Sequence, residues 1–281
     1  MTFEDFWQPL QAVYDHGEAK AIARVVMEMA YGLTMTDIVC GKVQTLDEQP
    51  LRHVQQRLLR GEPVQYVLGK AFFGDRLFCV APGVLIPRPE TFELCQWVVN
   101  TYKHQLSPLR ILDIGTGSGC IACTLAAELP QAQLTAWDIS STALHIAEEN
   151  VRRIDVRVKL EQVDILEKET DVDTETWDVI VSNPPYICHC ERDGMASNVL
   201  DHEPALALFV PDDDPLRFYN AIARYAQHSL VSGGRIFFEM NPLYASPLET
   251  MLDELGFCQT DIRDDQFGKK RFISTCKQET K

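Results

Sequence analysis

The first part of the chain has apolar residues three or four positions apart, as Phe3 and Phe6 illustrate. This spacing places them on one face of an α-helix, because the helix repeats every 3.6 residues. Runs of this kind end at Gly32 and at Gly61, and glycine is common just after the end of a helix. The pattern predicts a small bundle of amphipathic helices over residues 1–62.

Over residues 63–90 this period is lost. Two short runs of aromatic and aliphatic residues flank Gly74 and Asp75, which is typical of a β-hairpin. Residues 82–90 then contain three prolines, which fix the backbone and donate no hydrogen bond. The segment is therefore predicted to be a hairpin followed by a stiff connector.

From residue 91 onward, apolar runs alternate with amphipathic stretches. The pattern predicts strands over residues 109–114, 133–138, 156–163, 177–182, 234–240, 257–262 and 271–275. It predicts helices over residues 91–104, 120–129, 143–153, 215–230 and 244–255. Such alternation is typical of a doubly wound, mostly parallel α/β sheet that binds ligands at the carboxyl ends of its strands. One Rossmann-like domain is therefore predicted over residues 91–281.

The composition supports one large domain and one small one. The chain has 281 residues, of which 46% are hydrophobic, enough for a sizeable core. Its formal net charge is −15, which argues against a surface built to hold a nucleic acid. Residues 171–214 carry 11 acidic residues and Arg192 as their single Lys or Arg. We therefore expect a strongly acidic surface around Asn183 and no direct contact with nucleic acid.

Cysteine usage and the absence of long apolar runs bear on the compartment. Nine cysteines, an odd number, are typical of a cytosolic protein with reduced thiols. A structural zinc site needs two pairs of ligands at a regular spacing. No second pair stands at that spacing from Cys120 and Cys123 or from the two cysteines within residues 188–190, so no metal is expected. The first residues are acidic, unlike a signal peptide, and no apolar run reaches membrane-spanning length. We expect a cytoplasmic protein that does not contact a membrane.

A β-branched run ends at residue 182 and is followed by Asn183, Pro184, Pro185 and Tyr186. The two prolines make this stretch a rigid turn at the end of a strand. The side-chain oxygen of Asn183 and the carbonyl of Pro184 can each accept one hydrogen of a planar NH2 group, while Tyr186 covers its flat face. We interpret the four residues as a substrate-binding loop with Asn183, Pro184 and Tyr186 in catalytic roles. The alternative is an ordinary strand-to-loop turn.

A glycine-rich loop, Asp113-x-Gly115-x-Gly117-x-Gly119, follows the first predicted strand of the α/β domain. Its spacing differs from that of dinucleotide binders, and it offers no Walker lysine. Asp138 ends the next strand, 19 positions after Gly119, where a carboxylate can accept both hydroxyls of a ribose. Loop and carboxylate together favour a nucleoside site; the alternatives are a NAD-type site and a glycine-rich turn without a ligand.

The order of these parts resembles that of class I S-adenosylmethionine-dependent methyltransferases. The resemblance implies that the residues holding the methionine part are Asp113, Gly115, Thr116, Gly117, Ser118 and Gly119. The residues implied for the ribose and adenine are Asp138, Ile139, Asp164 and Ile165. In this arrangement Asp138 binds the ribose hydroxyls and Asp164 binds the adenine amino group. Ile139 and Ile165 pack on the two faces of the adenine ring. The methyl group then faces Asn183, which the resemblance implies is also a cofactor-binding residue.

Four further stretches are similar to HemK-type protein-(glutamine-N5) methyltransferases, which modify peptide-chain release factors. They are residues 72–74, residues 85–91 (Leu-Ile-Pro-Arg-Pro-Glu-Thr), residues 203–208 and residues 265–272. The resemblance spans nearly the whole chain. It implies that the methyl group goes to the side-chain nitrogen of the glutamine in the Gly-Gly-Gln motif of a release factor.

The layout of that family implies three parts. These are a helical substrate-recognition domain over residues 1–62, a hairpin connector over residues 63–90 and a catalytic methyltransferase domain over residues 91–281. A monomer with release factors as its protein partners is expected.

The chain departs from the family pattern at three places. Phe92 stands where the family usually has a glutamate, His202 stands where an aromatic residue often precedes Glu-Pro, and residues 188–190 read Cys-His-Cys. We interpret His202 as a surface charge partner rather than a base, because geometry more than residue type makes a base. Arg88, between two prolines, is interpreted as an anchor of the connector.

Three alternatives to this function stay open from the residues. An adenine-N6 methyltransferase shares the Asn-Pro-Pro-Tyr loop but needs a basic groove for its nucleic acid. A ribosomal-protein glutamine methyltransferase shares the same loop. A scaffold that binds the cofactor without activity is the third. For glutamine, we expect catalysis by orientation and electrostatics, with no metal and no covalent intermediate.

Overall fold

The computed structural model describes residues 1–168 and 176–278. The chain divides into two compact units. The first contains Met1–Lys70, Val80–Pro82 and Met195–His202. The second contains the described residues of Ala71–Cys79, Gly83–Gly194 and Glu203–Lys281.

The elements are numbered along the chain. The α-helices are α1 (Phe3–Trp7), α2 (His16–Tyr31), α3 (Met35–Val39), α4 (Glu48–Leu58), α5 (Val64–Leu68), α6 (Pro89–Tyr102), α7 (Cys120–Glu128), α8 (Ser141–Ile154), α9 (Ile165–Lys168), α10 (Ser197–His202), α11 (Ala205–Leu208), α12 (Arg217–Ser229) and α13 (Ala245–Glu254). The strands are β1 (Lys70–Phe73), β2 (Arg76–Cys79), β3 (Arg110–Ile114), β4 (Gln133–Asp138), β5 (Val158–Gln162), β6 (Trp177–Ser182), β7 (Ile187–Cys188), β8 (Phe209–Val210), β9 (Leu230–Glu239), β10 (Phe257–Asp264) and β11 (Lys270–Lys277). In the described ranges, no helix is both long and apolar enough to cross a bilayer.

The first unit contains the predicted helices. Thr2 caps α1 in a reciprocal arrangement, since its side chain accepts from the N–H of Asp5 and its own N–H donates to the Asp5 carboxylate. Gly32 ends α2 in the left-handed conformation that glycine readily adopts. Buried Gln55 on α4 donates to the carbonyls of Asp5 and Phe6, at 2.9 and 2.7 Å, and so fixes α1 against α4.

Two features of this unit differ from the predicted layout. Helix α5 lies inside the segment predicted as hairpin and connector, because Pro63 is the residue just before its first turn and Gly69 ends it. Pro63 and Gly69 thus mark the two ends of a short helix. Helix α10 belongs to the first unit, although it lies within the range predicted for the catalytic domain.

The second unit is built on a seven-stranded sheet in the order β10-β11-β9-β6-β3-β4-β5. Strands β5, β4, β3, β6 and β9 are parallel to one another, while β11 is antiparallel to both of its neighbours, β9 and β10. The predicted fold class, a Rossmann-like α/β domain preceded by a helical bundle and a hairpin, is confirmed. The last two strands pair with each other, as predicted.

Each face of the sheet is covered by helices, as the side-chain alternation along β6 shows. Val179 and Val181 point into a core with α6 and α7, while Ile180 points into a second core with α12 and α13. Both cores are continuous across the neighbouring strands. The strand ends, where the backbone leaves the sheet, therefore stand on a rigid base.

The tip of the β1–β2 hairpin lies against α6. Gly74 has a φ of +60°, and a Cβ added there would be 2.3 Å from the ring of Phe92. Phe92 in turn packs edge-on against Phe73, with ring centroids 5.3 Å apart. Phe92, a departure from the family pattern, thus has a packing role.

We expect Gly74→Ala to lower the free energy of unfolding by roughly 2–4 kcal/mol, because it adds a steric clash to an unfavourable φ. Gly256→Ala is the matched control, since Gly256 has a φ of +84° but nothing within 4 Å of an added Cβ. Urea unfolding of both variants measures the difference. Equal losses would contradict a packing constraint from Phe92.

Candidate active site

The candidate site lies where the strand order reverses, between β3 and β6. Ile114 and Ser182, the last residues of these strands, are paired in the sheet, and the Ser182 hydroxyl donates to the Ile114 carbonyl at 2.6 Å. The glycine loop follows the first strand and the Asn183 loop follows the second. Such a switch point is the usual ligand site of a doubly wound sheet.

The glycine loop has a backbone conformation that glycine adopts readily. Gly115, Gly117 and Gly119 all have positive φ. An added Cβ at Gly119 would be 3.1 Å from the Cβ of Ala147 on α8, so glycine there permits close packing of two helices. At the other two glycines nothing lies within 4 Å of an added Cβ, which leaves the backbone open to a ligand.

Asp113 lies under this loop and is fully buried. Its Oδ2 accepts from the Thr116 hydroxyl at 2.6 Å and from the Ala122 N–H at 3.2 Å. Its Oδ1 has no hydrogen-bond partner among the described residues. Burial raises the pKa of this carboxyl to about 7, so the position favours a donor or a positive charge close by.

Asp138 ends β4 and holds the other side of the loop. One carboxylate oxygen accepts from the Gly117 N–H at 2.8 Å and the other from the Ser140 N–H at 2.9 Å. Each oxygen keeps further acceptor capacity, which suits a ligand with two adjacent hydroxyls. Burial raises the pKa of Asp138. Ile139, the next residue, is 44% exposed and presents an apolar side chain beside this carboxylate.

Asp164 and Ile165 follow β5. Asp164 accepts from the Leu166 N–H at 2.9 Å, which leaves one carboxylate oxygen without a partner from the described chain. Ile165 is only 7% exposed and belongs to the core beneath α12. Its predicted contact with an adenine ring stays a prediction, and the exposed Ile139 is better placed for such a contact.

Asn183 is oriented by a residue far away in the sequence. Its Nδ2 donates to the hydroxyl of Thr91, on α6, at 3.0 Å. No described residue donates to its Oδ1 or to the carbonyl of Pro184. The two predicted acceptors are therefore free, and the amide nitrogen is not.

Tyr186 is held by a buried carboxylate. Its hydroxyl donates to Glu239 at 3.0 Å and lies 3.4 Å from Nη1 of Arg271, while Arg271 also contacts Asp265 at 3.3 Å. Glu239 is 2% exposed and accepts from Thr91 at 2.6 Å. Burial raises the pKa of Glu239, and burial beside this carboxylate raises the pKa of Tyr186.

Sequence reasoning missed three residues of this site. Thr91 lies in the first turn of α6. Glu239 is the last residue of the apolar strand β9, and a charged residue at the end of such a strand was an available signal. Asn150, on α8, is fully buried, and its Nδ2 donates to the carbonyls of Ser118 and Cys79 at 2.8 and 2.9 Å. An asparagine in the middle of a helix gives no such signal.

Arg88 contacts Glu203 at 2.6 Å, and the same carboxylate accepts from the Ile86 N–H at 3.1 Å. The interpretation of Arg88 as an anchor is confirmed. Glu203 is thereby taken out of the acidic surface predicted for residues 171–214.

Other acids of that stretch are also engaged elsewhere. Asp178, near the start of β6, accepts from the Arg110 N–H at 2.7 Å and so lies at the opposite end of the strand from Asn183. Glu191 accepts from Cys188 and Asn241. Asp171, Asp173 and Glu175 lie outside the described residues. The exposed acids that remain are Asp193, Asp201, Asp212, Asp213 and Asp214.

Three of the four cysteines singled out in the sequence are buried, and Cys190 is exposed. Cys120 and Cys123 are buried in the core between α6 and α7, and Cys188 is buried with its sulfur 3.2 Å from the hydroxyl of Tyr244. No group of three His, Cys, Asp or Glu side chains in the described part of the chain is arranged to hold a metal ion.

Fold and site together define the class as a Rossmann-like methyltransferase domain accompanied by a helical unit. The family model described as "Methyltransferase small domain" matches residues 96–204, and the one described as "PrmC N-terminal domain" matches residues 9–69. The 16S rRNA methyltransferase RsmC of Thermus thermophilus, solved with AdoMet and guanosine, has the same fold. Its TM-score is 0.55 at 19% identity, covering 74% of this chain and 50% of that one.

Sequence relatives identify the family. The release factor glutamine methyltransferase of Bacteroides thetaiotaomicron is 42% identical over 270 residues, which cover 95% of this chain and 96% of the relative. That of Flavobacterium psychrophilum is 38% identical over 273 residues, covering 95% of each chain. The chain belongs to the release factor glutamine methyltransferase family, as its sequence motifs predicted.

The buried Asp113 generates a pH-dependent prediction. Burial raises the pKa of its carboxyl from the ordinary value of 3.8 to about 7 in the folded protein. The folded protein therefore holds an extra proton between these values and loses stability as the pH rises across them. We expect Asp113→Asn to become more stable relative to the parent from pH 4.5 to pH 7.5, measured by urea unfolding without ligand. A constant difference between the two proteins would contradict the raised pKa.

Proposed function

We propose that this protein transfers the methyl group of S-adenosylmethionine to the side-chain amide nitrogen (N5) of the glutamine in the Gly-Gly-Gln motif of peptide-chain release factors. The observation that carries the proposal is the orientation of Asn183, whose amide nitrogen is held by Thr91 and whose oxygen is free to accept. The family of the chain supports the substrate. We further propose that it acts in the cytoplasm as a monomer, with residues 1–62 recognising the release factor.

The cofactor is proposed to lie across the carboxyl ends of β3, β4 and β5. S-adenosylmethionine supplies a methyl group on a sulfonium centre, which a nucleophile can attack. The glycine loop, which covers Asp113, lies against the methionine part. Asp138 accepts hydrogen bonds from the two ribose hydroxyls. Ile139 packs on one face of the adenine and Ile165 on the other. Asp164 accepts a hydrogen bond from the adenine amino group. The unpaired oxygen of Asp113 and the exposed side chain of Ile139 fit these roles.

The glutamine amide is proposed to bind at the Asn183 loop. Oδ1 of Asn183 and the carbonyl of Pro184 each accept one N–H, and the ring of Tyr186, fixed by Glu239, lies along the flat face of the amide. Pro185 keeps the turn rigid. Because both acceptors bind the same NH2 group, they aim its nitrogen in one direction, towards the cofactor side of the switch point.

An amide nitrogen is a weak nucleophile because its lone pair is delocalised into the carbonyl. Two acceptors stabilise the positive charge that develops on this nitrogen and favour a pyramidal geometry, so the lone pair becomes available for attack. The proton leaves afterwards to water. The site therefore acts by orientation and electrostatics, with no base among its side chains.

Transfer of labelled methyl from S-adenosylmethionine to a purified release factor tests the proposal. The label is expected on the Gly-Gly-Gln glutamine, located by mass spectrometry, and is expected to vanish when that glutamine is changed to asparagine. Duplex DNA, RNA and ribosomal protein serve as competing substrates. Label on adenine or only on a ribosomal protein would establish one of the alternatives, and cofactor binding without any transfer would indicate an inactive scaffold.

The Asp138 carboxylate is expected to contribute to cofactor affinity. Asp138→Ala should weaken S-adenosylmethionine binding by about 1.5–3 kcal/mol, the contribution of a charge-assisted hydrogen bond. Asp138→Asn keeps an acceptor and loses the charge, so its affinity for S-adenosylmethionine should lie between those of Asp138→Ala and the parent. Calorimetry with the cofactor alone measures both. Unchanged affinity in Asp138→Ala would place the nucleoside elsewhere.

Asn183 is expected to act in the chemical step. Asn183→Ala should lower single-turnover methylation by roughly 10²–10³-fold, the scale for removing one preorganised polar partner of a transition state. Cofactor affinity should change little, because the other loops hold most of the cofactor. Asn100→Ala, an exposed asparagine on α6, is the matched control. A turnover within a few-fold of the parent would contradict the role of Asn183, and a large loss of cofactor affinity would make it a cofactor ligand instead.

A further inference from the structure

A chain of hydrogen bonds connects Asn183 to a carboxylate that does not reach the site surface. Nδ2 of Asn183 lies 3.0 Å from Oγ1 of Thr91, and Oγ1 of Thr91 lies 2.6 Å from Oε2 of Glu239. The other carboxylate oxygen accepts from the Tyr186 hydroxyl at 3.0 Å. Thr91 is 3% exposed and Glu239 is 2% exposed, so water does not compete for these bonds.

Each bond in this chain has a fixed direction. An ionised carboxylate can only accept, so Thr91 and Tyr186 must both donate their single hydroxyl hydrogen to Glu239. The Thr91 oxygen can then only accept from its other neighbour. Asn183 must therefore turn its NH2 towards Thr91 and its oxygen away from it.

We propose that Glu239, acting through Thr91, is a positioning residue that sets which end of the Asn183 amide faces the substrate. The inference rests on the proposed function, in which Oδ1 of Asn183 accepts a hydrogen of the substrate NH2. An asparagine is nearly symmetric in shape, so packing alone distinguishes its oxygen from its nitrogen poorly. The hydrogen-bond direction imposed by the carboxylate makes that distinction.

The reverse orientation would oppose the reaction. If the group at position 239 donated to Thr91, the Thr91 hydrogen would be free to point at Asn183, whose oxygen would then turn inwards. The NH2 of Asn183 would face the NH2 of the substrate, and two donors cannot bond to each other. Substrate and cofactor would still find most of their contacts, but the nitrogen would lose one acceptor in the transition state.

The variants Glu239→Gln, Thr91→Val and Thr91→Ser test this inference. Glutamine has the shape of glutamate but donates with one end, valine removes the Thr91 hydroxyl at nearly constant volume, and serine keeps it. We expect Glu239→Gln and Thr91→Val to slow single-turnover methylation of a release factor by roughly 10–100-fold, with the Kd of S-adenosylmethionine and the KM of the release factor within about threefold of the parent. Thr91→Ser should retain most of the parent rate, because it keeps the hydroxyl.

A second measurement separates positioning from a general loss of structure. In an Asn183→Ala background, Thr91→Val should cause little additional loss, because the side chain that it orients is gone. Should Glu239→Gln fail to fold, Thr91→Val and its double variant still decide the question. A parent-like rate in Thr91→Val, or a full additional loss in the double variant, would overturn the inference. A parent protein that does not methylate the release factor would overturn the proposed function as well.

Discussion

A carboxylate buried at the end of a strand needs hydrogen-bond donors. Four elements of the second unit come together around Glu239. Strand β9 supplies the carboxylate, α6 supplies Thr91, and the loop after β6 supplies Tyr186. Arg271, on β11, contacts the Tyr186 hydroxyl that donates to this carboxylate. Leaving a buried charged group short of a partner costs about 1–3 kcal/mol or more. This requirement holds the Asn183 loop against the helix and the sheet at once.

The same carboxylate connects two stretches that resemble the family and lie far apart in the sequence. Residues 85–91 contain Thr91, and residues 265–272 contain both Asp265 and Arg271. Arg271 contacts Asp265 and reaches Tyr186. Each stretch looks unrelated to chemistry by itself. In the fold, each contributes a contact to the loop that carries Asn183 and Tyr186.

Local patterns predicted most of the fold and the loops that meet at the candidate site. The glycine loop, Asp138 and the Asn183 loop were recognisable because the residues of each pattern are adjacent or regularly spaced in the sequence. The contact between Thr91 and Glu239 joins positions 148 apart, so no local pattern encodes it. Strand β9 begins at Leu230, the last residue of the predicted helix and four positions before the predicted start of the strand. A leucine is compatible with a helix and with a strand, so the sequence does not mark this boundary. Only part of the acidic stretch is an exposed surface, since composition does not say that Asp178 lies at the far end of its strand.

The buried amide of Asn150 joins the glycine loop to the hairpin, because it bonds to Ser118 and to both backbone polar groups of Cys79. Coupling of this kind is reciprocal. A ligand that immobilises the loop must also restrain the end of β2, and a hairpin that opens must loosen the loop. Amide hydrogen exchange at Cys79 would then slow when the loop is occupied, so a strand that touches no ligand reports on occupancy.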